Sequence, residues 1–160
     1  MNARRSSWTL IVFALVSHLA IAEDCAVTPF DEGFRGNDAL AVVLPADGKF
    51  VFRPQGPGFI DHDGALGIKV GWSVKKPGRL EITGRRLDGS APRARAYTPY
   101  VTGEPGGQSS YVVFPTPGCW EIVASVGQQS LTFVVAVEFI APGPLSRLNG
   151  VPRGWRQTGG

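Results

Sequence analysis

Cys119-Trp120-Glu121-Ile122-Val123-Ala124-Ser125-Val126-Gly127-Gln128-Gln129-Ser130-Leu131-Thr132-Phe133-Val134-Val135-Ala136-Val137-Glu138-Phe139 reads as two strands joined by a turn. Successive side chains of a strand point to opposite faces, so apolar residues two apart build one buried face. Trp120, Ile122 and Ala124 share a face of the first segment, Cys119 to Ser125. Leu131, Phe133, Val135, Val137 and Phe139 share a face of the second, Leu131 to Phe139. Val126-Gly127-Gln128-Gln129 connects them, and facing rows of this kind hold antiparallel pairs together.

The same period extends toward the N-terminus. Leu66 to Val74 alternates Ile68, Val70, Trp72 and Val74 with Gly67, Lys69, Gly71 and Ser73, the pattern of a half-buried strand. Lys75-Lys76-Pro77-Gly78 makes a turn, and Arg79 to Thr83 alternates again with Leu80 and Ile82 inward. Shorter candidates are Arg93 to Thr98 and, after a Gly/Pro/Ser loop over Thr102 to Ser110, Tyr111 to Phe114. Ala39 to Leu44 and Lys49 to Arg53 flank Pro45-Ala46-Asp47-Gly48, whose Asp-Gly pair has hairpin chemistry. Pro54 to Gly64 is a longer loop, and Cys25 to Asn37 is irregular. Past residue 22 the alternation outweighs any helical period, so the expectation over 23–140 is an all-β sandwich of seven to nine short strands.

The two ends read differently. Residues 1–22 carry Arg4 and Arg5, an apolar run of about 14 residues from Trp8, and Ala20-Ile21-Ala22. This is the layout of a secretory signal peptide cleaved after Ala22. The run falls short of the ~20 residues that span a bilayer, so no stable membrane insertion is expected after cleavage. Residues 141–160 begin Ala141-Pro142-Gly143-Pro144 and end in Gly159-Gly160, the composition of a flexible tail. Export, to a periplasm or beyond the cell, puts Cys25 and Cys119 in an oxidising compartment, where their single possible pairing is expected to form. A reactive thiol at Cys119 would need a base or positive field, which Gly118 and Trp120 do not supply.

Charge and motifs exclude several function classes. The 160 residues hold 16 Lys and Arg against 13 Asp and Glu, a net charge of +3, and Arg4 and Arg5 account for two of those units. That leaves nucleic-acid binding without support from composition. The charge is polarised instead: residues 23–63 carry 3 basic and 8 acidic groups, residues 64–95 carry 8 basic and 2 acidic, and residues 96–160 carry 3 of each. Either the two segments neutralise each other through surface pairs, or Lys75, Lys76, Arg79, Arg85, Arg86, Arg93 and Arg95 form an open basic strip for an anionic or acidic partner. Arg79, Arg85 and Arg86 are its expected exposed members.

His62 is the one histidine after residue 22, which leaves a multi-histidine zinc site without ligands. Asp61-His62-Asp63-Gly64 starts like a calcium loop but lacks the closing Glu, and reads as an acidic turn. Ser73-Val74-Lys75-Lys76 spells S-x-x-K at a strand end, where the Ser and Lys do not converge as they do on a helix. No phosphate-binding Gly loop, G-x-S-x-G elbow or H-E-x-x-H occurs. Asp88 and Glu121 are carboxylates with no reason in the sequence to pair. The expectation is a non-enzymatic chain with no cofactor, no metal and no catalytic residue.

Gly118-Cys119-Trp120-Glu121-Ile122, Gly127 and Ser130-Leu131-Thr132-Phe133-Val134-Val135 resemble the last hairpin of bacterial immunoglobulin-like domains. Together with Leu80-Glu81-Ile82-Thr83-Gly84-Arg85-Arg86-Leu87-Asp88-Gly89, the pattern over roughly residues 37 to 138 is similar to a family of exported bacterial single-domain immunoglobulin-like proteins with no assigned activity. The resemblance implies that fold and export, and it transfers no catalytic residue. Because Cys25 precedes the first strand, the disulfide is not expected to join the two sheets as in antibody domains. The function expected is a binding or structural module of the cell envelope that meets a protein or envelope component through loops at one end of the sandwich. Gly103 to Gln108, with Glu104 and Gln108, is the favoured loop, alongside Arg79, Arg85 and Arg86. An alternative is a protease inhibitor, since Pro105-Gly106-Gly107-Gln108 before Tyr111 to Phe114 is loosely similar to the central loop of chagasin-type cysteine-protease inhibitors. That family's companion Arg-Pro-Trp and Asn-Pro-Thr loops are absent.

Overall fold

A computed structural model of the chain describes residues 25–30, 33–53, 56–99 and 103–140. The expected signal peptide and tail lie outside these residues. Ten strands run in chain order: β1 (Phe34–Gly36), β2 (Leu40–Val43), β3 (Lys49–Phe52), β4 (Phe59–Ile60), β5 (Leu66–Val74), β6 (Leu80–Arg86), β7 (Arg95–Tyr97), β8 (Gly106–Phe114), β9 (Gly118–Val126) and β10 (Gln129–Phe139). No helix occurs among the described residues. Six strands form one sheet in the order β1-β2-β5-β8-β7, with β4 also on β5, and four form the other in the order β3-β10-β9-β6. The all-β sandwich is therefore as expected, with more strands than the sequence predicts.

The deciding hairpin pairs as read: Trp120 lies opposite Val135, Ile122 opposite Phe133 and Ala124 opposite Leu131. Phe139 is the exception. It is 39% exposed, because β9 begins at Gly118, opposite Val137, and gives Phe139 no neighbour on that side. Leu66, Ile68, Val70, Trp72 and Val74 of β5 are all buried, and the two inner faces meet through aromatic rings. Phe114 lies 5.6 Å from Trp120 and 5.9 Å from Phe50, and Trp72 lies 6.2 Å from Phe133, centroid to centroid. The indole N–H of Trp72 donates to Ser110 Oγ at 2.8 Å, which explains a fully buried serine in this core.

Four sequence expectations fail for reasons of pairing: β1 and β4 form inside the stretches expected to be irregular (Cys25–Asn37) and loop (Pro54–Gly64), and two larger changes follow. Ala39–Leu44 and Lys49–Arg53 do not form a hairpin. β2 pairs with β1 and β5 in one sheet, whereas β3 lies parallel to β10 in the other. The Pro45–Gly48 turn is thus a corner between sheets. Gly48 supplies its left-handed residue at φ 64°, and Val27 packs so close that a Cβ there would come within 2.8 Å. The expected Thr102–Ser110 loop is also too long, since β8 starts at Gly106 and pairs with β5 over nine residues. Glycines and serines hide the alternation there, while backbone pairing to β5 does not depend on side chains.

The cysteines are bonded, with Cα atoms 5.3 Å apart. Cys119 alternates onto the outer face of the four-stranded sheet, opposite the core-facing Trp120, so the bond does not link the two sheets. From Cys25 the chain wraps the β10 edge, where Thr28 N–H donates to the Val134 carbonyl and Val134 N–H donates to Thr28 Oγ1, both at 2.9 Å. Phe30 then enters the core edge-on to Phe133. Burying a phenyl ring stabilises by roughly 1.5–3 kcal/mol, so the strap is anchored at both ends.

Candidate functional site

Four connections meet at one end of the sandwich: the β1–β2 turn at Asn37, the β5–β6 turn at Lys75–Gly78, the approach to β8 at Gly103–Pro105, and the β9–β10 turn at Gly127–Gln128. They are tied to one another. Gly78 N–H donates to the Gly103 carbonyl at 2.8 Å, and Lys75 Nζ donates to the Asn37 carbonyl at 2.8 Å. Gln108 Nε2 reaches the Glu104 carbonyl at 3.4 Å. Beside this end the sheet edges part. They touch where Ala94 N–H donates to the Gly84 carbonyl at 3.0 Å, then diverge to leave a shallow groove of about 190 Å³ lined by Arg79, Leu80, Glu81, Ile82, Ala96 and Thr98. Over Leu80–Thr83 that edge of β6 carries no strand among the described residues.

The structure divides the expected binding residues. It brings Arg79, Glu104 and Gln108 to this end, with Arg79 exposed at the groove. Gln108 belongs to β8 opposite Trp72 on the core-facing side, and its Oε1 is buried without a hydrogen-bond partner, so it is not a loop residue. Pro105–Gln108 likewise does not project as the inhibitor-like loop, because Gly106 onward is strand. Arg85 and Arg86 lie farther along β6. Arg85 Nε is 2.7 Å from Glu121 Oε1 on the outer face. Arg86 is not an exposed member of a strip: its side chain is 23% exposed, with Nε 2.6 Å from Asp88 Oδ1 and Nη1 donating to Thr116 Oγ1 at 3.1 Å. The Arg86 guanidinium holds the Asp88 carboxyl below its ordinary range against the opposing effect of burial, helped by the Cys119 backbone.

Among the described residues, ion pairs join the acidic and basic segments at one place. Arg95 Nη2 lies 3.0 Å from Asp61 Oδ2 and 2.8 Å from Asp63 Oδ2. Burial pushes the Asp63 carboxyl up, but the Ala65 N–H and Arg95 outweigh it and hold the group below its ordinary range. The carboxylates that resembled a calcium loop are thus engaged by an arginine. His62 sits on the same tip, 68% exposed, with Nδ1 2.7 Å from Asp61 Oδ1. Among the described residues, no three His, Cys, Asp or Glu side chains gather to hold a metal ion, and no helix is long and apolar enough to cross a membrane. Asp88 and Glu121 are each taken by a different arginine. Lys69, Lys76, Arg79 and Arg93 have no carboxylate partner among the described residues.

No protein-family model matches the chain, and neither a curated protein nor a solved structure does. The groove itself is not legible in the sequence. Ala96 and Thr98 reach Leu80 and Ile82 through the divergence of two sheets, a feature with no local signature.

Proposed function

We propose that this chain is a non-enzymatic exported binding module of the cell envelope, an immunoglobulin-like β-sandwich that meets a protein or envelope partner at the end carrying Lys75–Arg79 and Gly103–Pro105. The observation that carries this reading is the groove beside the open edge of β6, lined by Arg79 and Glu81, with Lys76 in the adjoining turn and neither Lys76 nor Arg79 ion-paired to a carboxylate among the described residues. An unpaired strand edge offers backbone hydrogen bonds to an extended segment, and unanswered cations steer an acidic one toward it. The disulfide supports an oxidising compartment. Export by a signal peptide removed after Ala22 and likeness to the exported immunoglobulin-like family belong to the same proposal.

Site-specific photo-crosslinking in the intact envelope tests it, with probes at Arg79 and Thr98 against a control probe at Thr83 on the outer face of the four-stranded sheet. A discrete adduct is expected from the first two positions, lost on Lys76→Glu with Arg79→Glu. Adducts from Thr83 alone, or adducts indifferent to the charge reversal, would place recognition elsewhere. The mass of the secreted chain checks cleavage, with Glu23 as the expected first residue.

A further inference from the structure

The open edge of β6 is a ladder that the chain begins and then abandons. Ala94 lies opposite Gly84 in an antiparallel bridge and donates its N–H to the Gly84 carbonyl at 3.0 Å. One residue later the chain departs, and Arg95–Tyr97 pair with Tyr111–Val113 of β8 in the other sheet. The N–H and C=O of one residue leave a strand on the same side, and that side alternates from residue to residue. Since the Gly84 carbonyl points away from β9, so do the N–H and C=O of Ile82 and Leu80, while Glu81, Thr83 and Arg85 turn theirs toward Ser125, Val123 and Glu121. No strand among the described residues takes up the ladder beyond Ala94. Backbone groups on such an edge are a template for a further strand.

Side chains set what that strand must carry. Leu80 and Ile82 face a groove of about 190 Å³ whose far wall holds Ala96 and Thr98, so their cross-strand neighbours must be apolar and of modest size. Arg79 and Glu81 alternate onto the outer face, where both are exposed and neither is ion-paired among the described residues. Opposite charges attract across a strand pair and like charges repel. The position facing Arg79 therefore favours a carboxylate, and the position facing Glu81 favours an ammonium. We infer that the β6 edge takes up an extended antiparallel segment of a protein partner, ordered apolar, basic, apolar, acidic from N to C, opposite Ile82, Glu81, Leu80 and Arg79. The direction is that of Ala94, whose ladder the segment continues. Residues opposite Leu80 and Ile82 each exchange N–H···O bonds in both directions. Glu81 is the selectivity-determining residue: a slip of two residues sets the acidic side chain of the segment against it, so Arg79 and Glu81 together fix the register. The inference rests on the groove being the recognition site and adds the direction, register and charge order of its occupant.

Amide NMR titration of the disulfide-bonded chain tests it with two peptides, acetyl-Ser-Val-Lys-Val-Glu-Ser-amide and the charge-swapped acetyl-Ser-Val-Glu-Val-Lys-Ser-amide. The first is expected to shift the Leu80 and Ile82 amides and slow their exchange with solvent, and the second to bind about fivefold or more weakly. Arg79→Glu combined with Glu81→Lys should reverse that preference, with circular dichroism and thermal melting confirming that the variant folds. Equal affinity for the two peptides, or a preference that the double variant does not reverse, overturns the charge order and leaves the groove as the binding site. Shifts confined to other strands, or no binding of either peptide at about 2 mM, overturn the added strand itself. The envelope adducts from Arg79 and Thr98 then decide the broader reading separately.

Discussion

The outer face of the four-stranded sheet contrasts with the part of the six-stranded sheet where β1, β2, β5 and β8 meet. On the four-stranded sheet, Lys49 pairs with Glu138, Arg85 with Glu121, and the Cys25–Cys119 bond straps the N-terminal segment across β9 and β10. Nearly everything there is answered from within the chain. On the six-stranded sheet, glycine and serine leave a trough beside exposed Phe34 and Val43, and Lys69 has no carboxylate partner among the described residues. Both inner faces are built mainly of apolar residues at every second position, with Gln108 and Ser110 of β8 the polar exceptions. The difference teaches that outer faces are free to diverge once the core is closed, because the core fixes only the inward residues of each strand.

Four measurements break or sharpen this contrast, beginning with the strap. Cys119→Ser removes a cross-link of sequence separation 94, and for a loop of that size the chain-entropy model assigns about 4–5 kcal/mol. Denaturant unfolding should show that loss, with amide exchange quickening first at Thr28 and Val134. Persistence of full stability would mean that Phe30 and the β10 edge hold the strap alone.

Next come two glycines. In β6 of the four-stranded sheet, a Cβ at Gly84 would lie 2.6 Å from Ile122 Cδ1 and 2.9 Å from Ala94 Cβ, so Gly84→Ala should destabilise by about 1–3 kcal/mol through overpacking. Gly71→Ala, with open space above it, should instead stabilise the fold by about 0.4–1 kcal/mol, because alanine restricts the unfolded chain. Thermal melts compare them, and the same sign for both would erase the distinction.

Smaller still is the Arg85–Glu121 pair, with side chains 60% and 24% exposed. A double-mutant cycle should return a coupling of about 0.2–1 kcal/mol, shrinking with salt. The last signal is in acid. Asp88 is held below its ordinary value of 3.8 in the folded chain by Arg86. Its contribution is therefore fully present above that value and declines as the pH falls through the lowered folded pKa. Asp88→Asn should flatten the acid limb of the stability profile, and an unchanged limb would show that the ion pair adds nothing.

Parts of both the fold and the site are legible in the sequence. Trp120, Ile122 and Ala124 against Leu131, Phe133 and Val135 hold in register, and the strand expected over Leu66–Val74 has those bounds. The exposed position of Arg79 is legible too. That of Arg86 is not, because its partners Asp88 and Thr116 come from two turns that meet at the opposite end of the sandwich. The short strands β1 and β4 escape as well, being pairing events of three and two residues with no period to display.

Alternation within single strands, and the presence of two cysteines, came from the sequence alone, because side-chain direction in an extended chain is a local property. Which strands neighbour one another was settled by the tertiary structure. Backbone hydrogen bonds carry no residue identity, so the move of β3 into the second sheet and the growth of β8 back to Gly106 left no local trace. The trough and the open edge of β6 exist because strands distant in sequence lie side by side, and so they belong to the fold rather than to any one segment.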